Sequence, residues 1–259
     1  MRKPGGEAFH TRDRVVAVVP AGGVGARMKS RRPKQYLALA GAPLLVHTLR
    51  VLVQTKGMEG VILVAPGDRI AATRRLVDRH RVRNVLDVVA GGAERQESVW
   101  RGLQALPGGV RWVVVHDAVR PFITPELVER VIAAGQRHGA ATCGLEVRET
   151  VKRVKGAMVD TTLDREGLWL IQTPQAFRRD LLCEAHDKAR RDGFVGTDDA
   201  VLVERLGEPV AVVSGLARNL KITTPHDLQI ARLWVGGAEP PVCGAGRMEP
   251  GRRRRRVAR

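Results

Sequence analysis

Aromatic residues are nearly missing from this chain: phenylalanine, tryptophan and tyrosine together make up 3% of it, and there is a single tyrosine. The core must therefore be built from Val, Leu, Ile and Ala, and aromatic platforms for stacking nucleobases are scarce. Cysteine is scarce too. Cys143, Cys183 and Cys243 are odd in number and show no CxxC spacing. This argues against a zinc site or a disulfide framework and points to a reducing compartment. No apolar run reaches about 18 residues, so no transmembrane helix is expected. The basic N-terminus lacks the apolar stretch of a secretory signal. A cytoplasmic protein is the expectation.

Positive charge, by contrast, is abundant. The formal net charge is +17, of which Arg247–Arg259 contributes +6 and the rest of the chain +11. A basic body suits anionic partners such as nucleotides, sugar phosphates or nucleic acid, and charge alone does not choose among them. Residues 1–13 read as a loose extension, 14–235 as one folded domain, and 236–259, rich in Gly, Pro and Arg, as a disordered basic tail.

Continuous β-branched runs mark strands buried on both faces: Val15–Pro20, Val61–Ala65, Val85–Ala90, Trp112–His116 and Val210–Val213. Helical spacing lies between them at Pro43–Lys56, Glu94–Leu106 and Pro125–His138. The alternation predicts an α/β fold, a Rossmann-like, mostly parallel sheet with helices on both faces. Thr124-Pro125 and Thr224-Pro225 read as helix starts, with Asp227 closing the second cap rather than holding a metal. Residues 146–170 break the rhythm. Glu146–Val154 alternates, Gly156 allows a turn, and Val159–Leu163 reads as a returning strand, so a projecting hairpin arm is expected. Such arms are often covered by a partner subunit.

Ligands in such sheets sit beyond the carboxyl ends of the strands. The first strand is followed there by Ala21-Gly22-Gly23-Val24-Gly25-Ala26-Arg27-Met28 and then Pro33-Lys34-Gln35-Tyr36. Three glycines in four positions let the backbone approach phosphate oxygens closely. No Gly-Lys-Ser/Thr follows, and Met28 stands where a dinucleotide fingerprint needs its third glycine. Arg27 and Lys34 flank the loop and suit charge building on a phosphorus centre.

The pattern PAGGxGxRM…PKQY resembles the sugar-phosphate nucleotidyltransferases, and PKQY resembles the 2-C-methyl-D-erythritol 4-phosphate cytidylyltransferase family in particular. Gly91–Val99, His116–Pro121, Thr173–Gln175, Thr197–Ala200 and Asn219–Thr223 are similar to that family's blocks, in its order. The resemblance implies CTP as nucleotide, a small sugar-alcohol phosphate as acceptor, Mg²⁺ or another divalent cation as cofactor, and a homodimer through the hairpin arm. It implies Arg27, Lys34 and Lys221 as catalytic. Ala21, Gly22, Gly23, Gly25, Gly91, Gly92, Ser98 and Ala118 would bind nucleotide, and Arg120, Thr150, Arg165, Thr173, Thr197 and Lys221 the acceptor.

The residues support these roles in different degrees. Backbone amides at Gly91-Gly92 plus the Ser98 hydroxyl can read a pyrimidine edge, although Ser98 is also an ordinary residue for a helix surface. Asp117, at a strand end, is the metal candidate, because Mg²⁺ takes one or two carboxylates together with phosphate oxygens and water. His116 reads as structural, since an ionised acceptor phosphate needs no general base. Arg120 can grip a phosphate bidentately. Arg165 also reads simply as a solvated hairpin cation.

Three alternatives stay open. Ribitol 5-phosphate is a rival acceptor, and UTP or GTP rival nucleotides. From another class, the arginine tail suggests a nucleic-acid-binding protein, with strong salt dependence. The body shows no helix-turn-helix or RNA-binding signature, so nucleic acid is expected only as a nonspecific partner of the tail.

Overall fold

The computed structural model describes residues 13–23, 28 and 33–236. The sheet is organised around β1 (Arg14–Pro20), whose residues Val15–Val19 are all buried. Successive side chains of a strand point to opposite faces. Val15, Ala17 and Val19 accordingly join one apolar cluster, and Val16 and Val18 join another. Fully burying each valine contributes about 2 kcal/mol.

The remaining elements, in chain order, are the short ribbon β2 (Ala38–Leu39) and β3 (Ala42–Pro43), α1 (Leu44–Gln54), β4 (Met58–Ala65), α2 (Ile70–Arg79), β5 (Val85–Ala90), α3 (Arg95–Gln104), β6 (Val110–Val115), α4 (Pro125–His138), β7 (Ala140–Glu146), β8 (Val151–Lys155), β9 (Met158–Leu163), β10 (Trp169–Arg178), α5 (Arg179–Arg191), α6 (Ala200–Glu204), β11 (Ala211–Ser214) and α7 (Pro225–Val235). Seven strands form the main sheet in the order β11-β7-β10-β6-β1-β4-β5. All neighbours pair in parallel except β10, which runs antiparallel to both β6 and β7. One face is covered by α1, α2 and α4, the other by α3, α5 and α6. A smaller cluster packs α7 against Leu39, Leu44 and Val119.

The five strands and three helices expected from the sequence are all present, with ends shifted by at most a few residues. β7 and β10 were not expected. β10 contains Pro174, which cannot donate a ladder hydrogen bond, and the pairing with β7 shifts register between Gln172 and Ala176, around that proline.

Both anticipated caps form. The Thr124 hydroxyl accepts from Leu127 N, and the Thr224 hydroxyl accepts from Asp227 N while the Asp227 carboxylate accepts from Thr224 N. Asp227 is thus a capping residue. β8 and β9 pair as an antiparallel hairpin outside the main sheet, turning at Gly156 with φ 60°. Of the expected loose extension, Asp13 is in fact fixed, accepting hydrogen bonds from Arg111 and Trp112. Residues 1–12 and the tail after Gly236 lie outside the described residues.

Candidate active site

β1, β5 and β6 all end at one cavity of about 210 Å³. Its walls bring together Ala21, Gly22, Gly23, Lys34, Gly92, Ser98, Asp117, Ala118 and Lys221 from five separate parts of the sequence. Gly25 and Arg27 lie outside the described residues.

On one side the cavity wall is formed by Gly22, Gly92 and Ser98. Ser98 is buried in the first turn of α3; its Oγ accepts from Gly92 N and donates to Glu94 O, both at 3.1 Å. A methyl group added at Gly22 would lie 3.6 Å from that Oγ, so the glycine after β1 and the serine of α3 face each other across a narrow gap. At Gly91 the same addition would come within 2.8 Å of Ser98 Oγ, so a side chain there would displace that hydroxyl. Glu97 does not line the cavity; its carboxylate packs against Gly92 from behind, accepting from Ala93 N and Arg101.

Lys34 stands over the opposite lip: a methyl group on Gly23 would be 3.9 Å from its Cε. It opens a single 3-10 turn, Lys34–Tyr36, which is anchored by its neighbours. Gln35 is buried and donates to the Ala21 carbonyl, and the Tyr36 hydroxyl lies 2.8 Å from Thr73 Oγ1. The Lys-Gln-Tyr segment therefore ties the lysine to the end of β1.

Asp117, just past β6, is the electrostatic centre. Its Oδ1 is 3.2 Å from Arg95 Nε, and its Oδ2 is 3.3 Å from Arg120 Nε and 2.9 Å from Lys221 Nζ. Burial alone would raise its pKa, but these three cations override burial and hold the carboxyl well below the usual range. Arg120 also donates to the Asn219 carbonyl at 2.8 Å, which fixes the loop that delivers Lys221. Asn219 in turn donates to Gln172 Oε1 and to the Thr173 carbonyl.

Thr173 lies beneath this centre, buried, its hydroxyl accepting from Asp117 N and 3.0 Å from His116 Nδ1. His116 is fully buried and its Nε2 donates to the Arg120 carbonyl, which agrees with a structural role. Thr150, Arg165 and Thr197 are exposed and do not line the cavity within a single chain. Arg165 donates to the Arg148 carbonyl at the base of the hairpin.

Sequence reasoning missed Arg95 and Asp199 as individual residues. Arg95 lines the cavity and pairs with both Asp117 and the buried Asp199. Only its place in the GGAERQES block pointed to it.

The arrangement suits a nucleoside triphosphate: an uncharged edge for a base, a glycine-rich strand end, and cations around one carboxylate. Among the described residues lining the cavity there is neither histidine nor cysteine, and the Ser98 hydroxyl donates to the Glu94 carbonyl rather than to a base. Among the described residues no cluster of three or more His, Cys, Asp or Glu could cage a metal. The ionised Asp117 at the cavity's cationic end nonetheless fits a Mg²⁺ ion that draws its other ligands from phosphate oxygens and water.

The 2-C-methyl-D-erythritol 4-phosphate cytidylyltransferase family model matches residues 15–236. A protein named 2-C-methyl-D-erythritol 4-phosphate cytidylyltransferase from Syntrophus aciditrophicus is 46% identical over 224 residues, covering 86% of this chain and 96% of that protein. One of the same name from Pelotomaculum thermopropionicum is 44% identical, covering 90% and 99%. Among solved structures, the 4-diphosphocytidyl-2C-methyl-D-erythritol synthase of Anaerococcus prevotii superposes with a TM-score of 0.77 at 31% identity, covering 86% of this chain and 96% of that one. The cytidylyltransferase of Thermus thermophilus gives 0.72 at 36%, covering 85% and 98%. With its fold, its cavity and these likenesses in agreement, the chain belongs to the 2-C-methyl-D-erythritol 4-phosphate cytidylyltransferase family.

Proposed function

We propose that the protein transfers CMP from CTP to 2-C-methyl-D-erythritol 4-phosphate, giving 4-diphosphocytidyl-2-C-methyl-D-erythritol and pyrophosphate. The observation that carries this is the junction of the uncharged Gly22–Ser98 wall with the Lys34, Lys221 and Asp117 cluster in one cavity. The cytosine edge is read by the Gly91-Gly92 backbone and Ser98, and the triphosphate lies along the glycine strand end under Lys34.

The reaction is an in-line displacement. An oxygen of the acceptor phosphate forms a new bond to the α-phosphorus of CTP. The bond from that phosphorus to its bridging oxygen breaks, and pyrophosphate leaves with the electron pair. The acceptor oxygen is already ionised, so no general base is required. The protein's task is to align two anions and to stabilise the transition-state charge. Lys34 faces the triphosphate, and Lys221 meets both the α-phosphate and the acceptor; Arg27 shares the role of Lys34 by resemblance alone, since it lies outside the described residues. Arg120 and Thr173, packed around Asp117, belong to the acceptor site in this reading; Thr197, exposed and away from the cavity, is assigned to it by resemblance alone. Asp117 would hold Mg²⁺, which supplies neutralisation of phosphate charge when bound.

Thr150 and Arg165 reach an acceptor site only if a second copy brings its hairpin across. The exposed Val154, Met158, Val159 and Leu170 on and beside the hairpin suit burial against such a copy. Among the described residues no helix is long and apolar enough to cross a membrane, and we place the reaction in the cytoplasm. Incubation with CTP, Mg²⁺ and methylerythritol 4-phosphate, with the product read by mass and phosphorus NMR, tests the reading. The cytidine diphosphate ester should form with CTP and not with UTP or GTP. Failure to form it refutes the assignment.

A further inference from the structure

From Arg95 in the cavity wall, a chain of polar groups runs away from Asp117 into the buried interior. Arg95, the first residue of α3, donates from Nε to Asp117 Oδ1 at 3.2 Å and from Nη1 to Asp199 Oδ2 at 2.7 Å. Asp199 is fully buried, and its other oxygen is 3.1 Å from Nε2 of the equally buried His186. The Asp199 N–H donates to Gln175 Oε1 at 3.2 Å. Gln175 lies on β10 directly opposite Val115 of β6, the strand that delivers Asp117. Its amide also donates to Asp198 and Thr142. Asp117, Arg95, Asp199 and Gln175 therefore close a ring that begins and ends on the same strand pair.

We propose that Asp199 is a positioning residue for the transfer reaction: acting through Arg95, it sets the orientation of Asp117 and thereby of Lys221. The geometry supplies the reason. A guanidinium is a rigid planar fork, and anchoring one arm on a buried carboxylate fixes where the other arm meets Asp117. Arg95 holds Oδ1, whereas Arg120 and Lys221 share Oδ2. Without the anchor, Arg95 is free to swing, the carboxylate is held from one oxygen only, and it can turn. Lys221 then loses its fixed point against the α-phosphate. Asp199 does not line the cavity, so it has no ligand contact through which to act directly.

This inference rests on the proposed reaction. Asp199→Asn keeps size and removes the charge that anchors Arg95; Arg95→Lys keeps charge but loses the fork. Each should lower kcat about 10- to 100-fold, as a small misplacement of a reacting group does. The Kd for CTP, measured by calorimetry without acceptor, should not weaken by more than about threefold, because Asp199→Asn removes a negative charge near the triphosphate. Because the two residues act as one unit, the double variant should lose no more than about threefold beyond the worse single variant. A merely structural role for Asp199 would instead weaken CTP binding and multiply the two losses, and either result overturns the proposal. So does an active wild type with Asp199→Asn at full kcat. If Asp199→Asn does not fold, Asp199→Glu, which keeps the charge but displaces the point that anchors Arg95, decides: reduced kcat with CTP binding within about threefold of wild type supports the proposal, and unchanged kcat overturns it. A wild type that forms no product sinks the proposed reaction itself.

Discussion

Lys221 Nζ lies 2.9 Å from Asp117 Oδ2, so a lysine from the loop before α7 meets a carboxylate from the end of β6 at the floor of the cavity. The pair sets a cation where the acceptor phosphate must approach CTP. Replacing Lys221 with Gln should lower kcat by about 10²- to 10³-fold, the usual loss when one preorganised charge is removed from a transition state. The lysine side chain is 38% exposed, so the fold should survive. Circular dichroism and steady-state rates on the same sample check both expectations. Near-normal turnover would remove Lys221 from the chemistry.

Base recognition can be tested through backbone space. A methyl group at Gly91 would approach Ser98 Oγ to 2.8 Å and force that hydroxyl away from Gly92 N. Gly91→Ala should raise KM for CTP about tenfold, the equivalent of one lost hydrogen bond of about 1.4 kcal/mol. Ser98→Ala should do the same with less strain. A larger fall in kcat than rise in KM would place these residues in the transition state instead.

Packing beneath the site is tighter still. An added methyl at Gly102 in α3 would lie 2.5 Å from Val18 Cγ1 and 2.9 Å from Val64 Cγ2. Both are buried β-branched residues that cannot swing aside. Gly102→Ala gains about 1 kcal/mol of helix propensity but should lose about 1–3 kcal/mol to overpacking. The expected outcome is a lower thermal midpoint; a rise would show that the α3–sheet interface has slack.

Acid should destabilise the protein through His116. Burial pushes this imidazole down to about 4 from an ordinary 6.5. Between those values the unfolded chain takes up a proton that the folded one refuses, so the stabilising contribution is complete above about pH 6.5 and lost as pH falls toward 4. The shift corresponds to about 3 kcal/mol. Urea unfolding of wild type and His116→Gln in EDTA should show a steeper loss for wild type across this window. Parallel curves would contradict it.

Much of the fold was legible because it is written in local pattern. The valine runs of β1, β4 and β6 alternate into the two core clusters, and threonine before proline marks the starts of α4 and α7. β10 escaped because Pro174 interrupts its pattern, and the bulge that accommodates it depends on the neighbouring β7. The glycine, serine, lysine and aspartate of the cavity were legible from their positions after strands. Arg95 and Asp199 were not singled out, because their pairing spans 104 residues and leaves no local period. Thr150 and Arg165 were legible only by resemblance, and a single chain leaves them away from the cavity.

The most direct test of the account compares acceptors. With CTP and Mg²⁺ held saturating, kcat/KM for pyrophosphate release should be measured with 2-C-methyl-D-erythritol 4-phosphate and with ribitol 5-phosphate. The account predicts a preference for the former of at least about 100-fold, the discrimination expected of a site built around the acceptor's polar groups. Equal rates, or faster release with ribitol 5-phosphate, would contradict it while leaving the fold and the phosphoryl chemistry in place.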